Sequence, residues 1–277
     1  MLSGGWIVSC KNGKNHMGNY LLNHISRVSN AINKAENVAL FLDYDGTLVF
    51  FEDRPQDVVT SNEVKAVIKH ILQNEKFYVF IVTGRTLDEI KKLLDIGGLS
   101  YAALHGLDIV LQNGKNYNLQ ERKDFRSILN QIKKYSEDEF KNEKGVYLED
   151  KELTLAFHYR MVEKEKSQEM IDKFLNLVNK VGNPNSIDVL HGSKVVEIRP
   201  KGWNKGKAVE LILKKVSKNK NFLPIYIGDD TTDEDAFNSI GSKGITIFVE
   251  NNEERSTSAQ YSLKNPNEVL DFLKMIQ

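Results

Sequence analysis

The chain has 277 residues, with 38 lysines and arginines against 38 aspartates and glutamates, and its 40% hydrophobic and 27% charged content is that of a folded globular protein. With no net charge there is no global attraction for nucleic acid or an acidic lipid surface, so any charged chemistry must be local. Cys10 is the only cysteine, the start of the chain lacks the basic and apolar blocks of a signal peptide, and no segment has the roughly 18 uninterrupted apolar residues of a membrane span; a reduced, cytoplasmic setting is expected.

Residues 1–37 read as an ambiguous lead-in. A helix is allowed over 20–35, but Gly4, Gly5, Gly13 and Gly18 suggest a loose start, and no function is assigned there. The pattern sharpens at 38–42, where five apolar residues run into Asp43, Tyr44 and Asp45. Runs at 77–82, 99–104, 222–227 and 245–249 are equally short, rich in β-branched and aromatic residues, and do not alternate in polarity. Such strands are covered on both faces, as in a mainly parallel sheet between helix layers. TSNE (60–63) and TLDE (86–89) have capping-box spacing and precede apolar residues at helical intervals, namely Val64, Val67, Ile68, Ile71 and Leu72, then Ile90, Leu93 and Leu94. The predicted class is α/β, assembled from βαβ units.

From about 119 to 200 the character changes. Charged amphipathic helices are predicted over 121–140 and 163–180, and the strands between them alternate. In LTLAFHYR, Leu153, Leu155, Phe157 and Tyr159 share one face while Thr154, His158 and Arg160 share the other; in KVVEIRP, Val196 and Ile198 oppose Glu197 and Arg199. These are half-covered antiparallel strands. The expected organisation is a core of 1–118 and 201–277 with an α+β cap inserted at 119–200. Hinges are expected near 116–120 and 199–203, where Pro200 and Gly202 break the pattern.

Ligands of a parallel α/β sheet bind beyond the carboxyl ends of its strands. Asp43 and Asp45 follow the first run, Thr83, Gly84 and Arg85 the second, and Asp229 and Asp230 the run ending at Gly228. Period-2 geometry points Asp43 and Asp45 the same way, and Asp229 from another strand adds a third carboxylate. Like charges so close repel unless a cation intervenes. A hard ion preferring carboxylate and water oxygens, Mg2+, is the expected cofactor. Singly, each feature is ordinary: DxDG is a common strand end and turn, and Asp233, Glu234 and Asp235 suit a helix N-terminus. Their order at separate strand ends is what points to a site.

DYDGT (43–47), VTGR (82–85), the lysine of NKGKA (204–208) and GDDTTDEDAF (228–237) resemble, in order, the four motifs of the haloacid dehalogenase (HAD) superfamily of phosphotransferases. The insertion is similar to the cap of its sugar-phosphatase branch. Within that branch, LHGLDI (104–109), LEDKELTLAFHYR (148–160) and GSKVVEIRPKGWNKGKA (192–208) resemble the trehalose-6-phosphate phosphatases, over about 38–250.

The resemblance implies a Rossmann-like HAD core and a set of roles. Asp43 is the nucleophile that forms an aspartyl phosphate, and Asp45 first protonates the departing sugar oxygen and then deprotonates water. Mg2+ is held by the Asp43 side chain, the Asp45 backbone carbonyl and Asp229, with Asp230 or Asp233 in support. Thr83, Lys205 and the amides of 44–47 cradle phosphate, Gly84 and Arg85 border it, and His105 either borders it or caps the strand end. Glu149, Lys151, Arg160, Lys194 and Glu197 are the sugar-binding candidates. Lys194 and Glu197 are three apart and would face opposite ways on a regular strand, so Lys194 must lie in the turn at 192–193 for both to reach the substrate.

The implied substrate is a small molecule, trehalose 6-phosphate. Sucrose phosphate, a glucosylglycerate-type phosphate, a hexose phosphate and a phosphomannomutase-like phosphotransfer are the alternatives. A binding module that has lost turnover is disfavoured, because Asp43, Asp45, Thr83, Lys205 and Asp229 are all present. No nucleic acid or membrane partner is expected. A monomer is the working expectation.

Overall fold

The computed structural model describes residues 18–277 apart from 53, 119–121, 183–185, 193, 218–219 and 253–254. Two compact units emerge: residues up to 117 together with Asn204–Gln277, and Asn118–Trp203.

The first unit contains β1 (Asn19–Tyr20), α1 (Ile25–Lys34), β2 (Asn37–Leu42), α2 (Asn62–Gln73), β3 (Phe77–Val82), α3 (Leu87–Leu94), β4 (Ser100–Ala103), β5 (Asp108–Val110) and β6 (Asn116–Asn118), whose last residue falls in the other unit. The second unit carries α4 (Arg122–Glu139), β7 (Tyr147–Asp150), β8 (Leu155–His158), α5 (Lys164–Val181), β9 (Ile187–Gly192) and β10 (Val195–Pro200). The chain then returns to the first unit with α6 (Lys205–Val216), β11 (Phe222–Gly228), α7 (Glu234–Ile240), β12 (Ile245–Val249), β13 (Tyr261–Leu263) and α8 (Pro266–Ile276).

The first unit's sheet has the order β1-β13-β12-β11-β2-β3-β4-β5-β6, parallel from β1 to β4 and antiparallel where β5 turns back on β4. Burial on both faces explains the unbroken apolar runs. Leu40, Leu42, Ile81, Ile225 and Ile227 enter one core with residues of α1, α2 and α8. On alternate positions Phe41, Phe80 and Tyr226 lie side by side across β2, β3 and β11, with ring centroids 4.8 and 6.3 Å apart. The order places β2 between β11 and β3, so three reactive strand ends are neighbours.

Two local expectations shift. The segment read as a loose lead-in contributes β1 and α1, with Leu21, Val28 and Ile32 buried; its register partner, Tyr261, lies far away in sequence. The residues of that segment before 18 lie outside the described part. The cap of α2 is Ser61, which accepts from the Val64 amide, whereas the Thr60 hydroxyl lies 2.7 Å from the Tyr44 hydroxyl. Thr86 does form the capping box of α3 with Glu89.

In the second unit the sheet runs β7-β8-β10-β9, antiparallel throughout. Phe125, Leu129 and Ile132 of α4 and Met170, Phe174 and Val178 of α5 pack against Leu155, Phe157, Val196 and Ile198. Leu153 and Thr154 belong to the β7–β8 turn, closed by the Leu153 amide donating to the Lys151 carbonyl, and so do not extend β8. Glu197 and Arg199 are buried, so this strand is more covered than its alternation suggests. Of the expected hinge segments, 119–120 lie outside the described residues, 199–200 lie in β10, and the Gly202 amide is tied to Asp188.

Candidate active site

The loop after β2 is shaped by where β11 ends. The Asp43 amide donates to the Ile227 carbonyl at 2.9 Å, which carries the sheet ladder one step past β2. Gly46 follows at φ +75, and a Cβ there would sit 2.1 Å from the Asp229 Oδ2, so glycine alone allows the loop this close to the carboxylate. Thr47 donates its hydroxyl to Asp229 Oδ1 at 3.2 Å.

Lys205 is the first residue of α6, after Asn204, whose side chain accepts from the Lys207 amide. Its buried ammonium bridges Asp43 Oδ2 at 2.9 Å and Asp233 Oδ1 at 2.8 Å. Asp233 also accepts from the Tyr226 hydroxyl at 2.6 Å and from the Asp229 and Asp230 amides at 3.2 and 2.9 Å. One oxygen from each of Asp43, Asp229 and Asp233 lies within 4.8 Å of the others, and all three residues are buried.

Three buried carboxylates face one ammonium, and the protonation equilibria register the imbalance. Burial, then the nearby Asp233, push the Asp43 carboxyl well above the ordinary carboxylate range against the pull of Lys205. Burial and Asp233 likewise push Asp229 up to about 8. Burial alone would lower the Lys205 ammonium, but Asp233 and Asp43 outweigh it and raise it. An all-oxygen donor set with surplus negative charge fits a hard divalent cation.

The other predicted acids are placed differently. The Asp45 carboxylate sits in the fork of Arg85, at 2.8 Å from Nε and 2.6 Å from a terminal nitrogen, and the guanidinium lies over the Tyr44 ring. The Asp230 side chain accepts from the Thr231 amide and hydroxyl, capping the turn that leads into α7. Thr83 is buried at the end of β3, its hydroxyl accepting from the Arg85 amide at 3.1 Å. His105 is left-handed at φ +56 and its ring lies against Gly84, where a Cβ would come within 2.8 Å of Nε2.

Within the second unit the face of the sheet opposite α4 and α5 carries a charge cluster. Glu149, Ala156 and Glu197 lie abreast on neighbouring strands. The Lys151 ammonium is 3.2 Å from Glu197 and 3.8 Å from Glu149, and His158 Nε2 is 2.8 Å from Glu149. Arg160 is exposed in the turn after Tyr159. Lys194, at φ +63, sits between β9 and β10 with its ammonium over the Tyr159 ring; Ser193 beside it lies outside the described residues.

Sequence reasoning missed Tyr226, Asn251 and Arg255, and the contact of the Thr47 hydroxyl with Asp229. Asn251 donates to the Gly46 carbonyl at 2.8 Å, and Arg255 donates to the Asp229 carbonyl at 3.0 Å while pairing with Glu234. Tyr226 had a signal, a hydroxyl inside an otherwise apolar run. Asn251 and Arg255 come from a polar loop with no motif of its own.

The sequence model of the trehalose-phosphatase family matches residues 41–267. The probable trehalose-phosphate phosphatase 2 of Oryza sativa subsp. japonica is 32% identical over 93% of this chain and 74% of its own length. The probable trehalose-phosphate phosphatase G of Arabidopsis thaliana is 34% identical over 88% of this chain and 69% of its own. Among solved structures, the C-terminal domain of the C. albicans trehalose-6-phosphate phosphatase superposes with a TM-score of 0.77 over 95% of this chain and 99% of that one, at 22% identity. A haloacid dehalogenase-like hydrolase from Bacteroides thetaiotaomicron shares the fold at a TM-score of 0.63 and 14% identity, covering 87% of this chain and all of that one.

Proposed function

The chain belongs to the trehalose-phosphatase family, and from that premise we propose that it hydrolyses trehalose 6-phosphate to trehalose and phosphate, as a phosphoric monoester hydrolase working in the cytoplasm with Mg2+. The observation that carries the reading is the buried Asp43 carboxylate at the exit of β2, oriented by Lys205, with a second acid, Asp45, two residues on.

Asp43 attacks the phosphorus, and the phosphorus–oxygen bond to the sugar breaks. Asp45 delivers a proton to the sugar oxygen as it leaves, then takes one from the water that attacks the aspartyl phosphate; Asp43 is regenerated and phosphate departs. One carboxylate cannot be nucleophile and acid together, which gives the DxD spacing its purpose. Lys205 holds one Asp43 oxygen at 2.9 Å and the Tyr44 amide holds the other at 2.8 Å, so the nucleophile is oriented before substrate arrives. Arg85 keeps the Asp45 carboxylate in a two-point fork; an arriving phosphate competes for the guanidinium and frees the carboxylate, which takes up a proton from water before it serves as the acid. Asp43 and Asp229 would hold Mg2+, with the Asp45 carbonyl and Asp233 in support, and the ion would offset negative charge on the transferring phosphoryl group. In the second unit Glu149, Lys151, Arg160, Lys194 and Glu197 supply the hydroxyl-directed contacts for the sugar.

Phosphate release from trehalose 6-phosphate, sucrose 6-phosphate, glucose 6-phosphate and mannose 6-phosphate, with magnesium and with a chelator, tests the reading. Preference for trehalose 6-phosphate that the chelator abolishes is expected. Turnover of another member overturns the sugar assignment and keeps the chemistry, whereas transfer between sugars without net release points to a mutase.

A further inference from the structure

Asp229 is crowded by Asp43 and Asp233, and repulsion alone would swing its carboxylate away from both. Two neighbouring donors oppose this. The Thr47 hydroxyl holds Oδ1 at 3.2 Å, and the Asn251 side-chain amide lies 3.4 Å from Oδ2. The same Asn251 nitrogen donates to the Gly46 carbonyl at 2.8 Å. One amide therefore spans the loop that follows β2 and the carboxylate that follows β11.

The backbone is bent to put it there. Beyond β12 the Glu250 and Asn251 amides still donate to the Leu263 and Lys264 carbonyls, at 2.8 and 2.9 Å, extending the pairing with β13 by two residues. The chain then turns through two consecutive left-handed residues, Asn251 at φ +46 and Asn252 at φ +66. Asparagine is among the few non-glycine residues that enter this region readily. Position 251 thus combines a backbone geometry with a donor that few other residues supply together.

We propose that Asn251 is a positioning residue for the cation site: its amide pins the Asp229 carboxylate and the Gly46 carbonyl in one register, so that the donors from the ends of β2 and β11 face a common point. The proposal rests on the reading of Asp229 as a cation ligand. Partners that orient a ligating side chain typically change metal affinity by about 10- to 100-fold when removed.

The test is isothermal titration of magnesium chloride into the substrate-free full chain for wild type, Asn251→Gly and Asp229→Asn, with the thermal midpoint of each in chelator. Glycine removes the amide and keeps the left-handed backbone unstrained, which alanine would not. Asn251→Gly is expected to bind magnesium about tenfold more weakly or worse, with a metal-free midpoint within about 3 °C of wild type. Wild-type affinity in Asn251→Gly, alongside loss in Asp229→Asn, overturns the role of Asn251 alone. Unchanged affinity in Asp229→Asn overturns the cation reading of Asp229 and this proposal with it.

Discussion

Asp43 illustrates how a functional residue is held against its own electrostatic preference. It is 5% exposed, and burial and Asp233 push its carboxyl upward while Lys205 pulls it back. Removing that charge relieves the repulsion but leaves Lys205 paired to Asp233 at 2.8 Å, so the ammonium is not stranded. Asp43→Asn is therefore expected to lose phosphate release by on the order of 10³-fold or more, with a metal-free thermal midpoint no lower than wild type. Phosphate assay and thermal melts on the same preparation check both halves, and turnover that survives would remove Asp43 as nucleophile. At this scale much was legible, because DxD at the end of an apolar run has few uses. The Arg85 fork on Asp45 and the two-point hold on Asp229 were not, since the fork joins residues 40 positions apart and the hold brings Thr47 and Asn251, 182 and 22 positions away, to one carboxylate.

Elements place these residues, and the α6 N-terminus shows how little placement needs. Asn204 caps the helix by accepting from the Lys207 amide at 2.9 Å, and the next residue is Lys205. Asn204→Ala removes the cap and should cost about 1 kcal/mol of stability. It also loosens the first turn, so turnover should fall further than a remote cap mutation of equal cost would explain. Asn204→Asp keeps a good cap and should restore the stability, which urea unfolding of the two variants would show; equal stability of the alanine and aspartate variants would mean the cap does not hold Lys205 in place. The same local chemistry was readable for α3, where Thr86 and Glu89 form the predicted box. It was off by one residue for α2, because the buried Tyr44 hydroxyl draws Thr60 away and leaves Ser61 to cap. β1 escaped notice for a different reason: two residues carry no periodicity, and their partner β13 is supplied from the far end of the chain.

Across the whole molecule the 38 positive and 38 negative side chains cancel, yet each unit holds a charge cluster of its own. The first gathers carboxylates with too few cations, which is costly for stability and useful for holding a metal. The second surrounds Asp150 with cations. Arg126 grips it at 2.5 and 2.8 Å, Lys133 lies 3.1 Å away and the Glu152 amide donates at 3.0 Å, fastening α4 to the β7–β8 turn. The Arg126 hydrogen bonds hold the Asp150 carboxyl well below the usual carboxylate range, against the opposing effect of its partial burial. A carboxyl whose folded pKa is depressed contributes stability above its unfolded value of about 3.9, and that contribution is lost as pH falls through the folded value. Wild type should therefore exceed Asp150→Asn by about 1 kcal/mol near pH 7, a figure already reduced for solvent screening of a partly exposed pair. The gap should hold down to about pH 5 and narrow progressively below about pH 4 as the carboxyl takes up its proton. Urea unfolding of both proteins in the same chelator-containing buffers across that range measures it directly. A gap that stays constant into the acid range would mean that the amide variant loses packing or hydrogen bonding and not charge, and that the Asp150 cluster is a geometric fastener only.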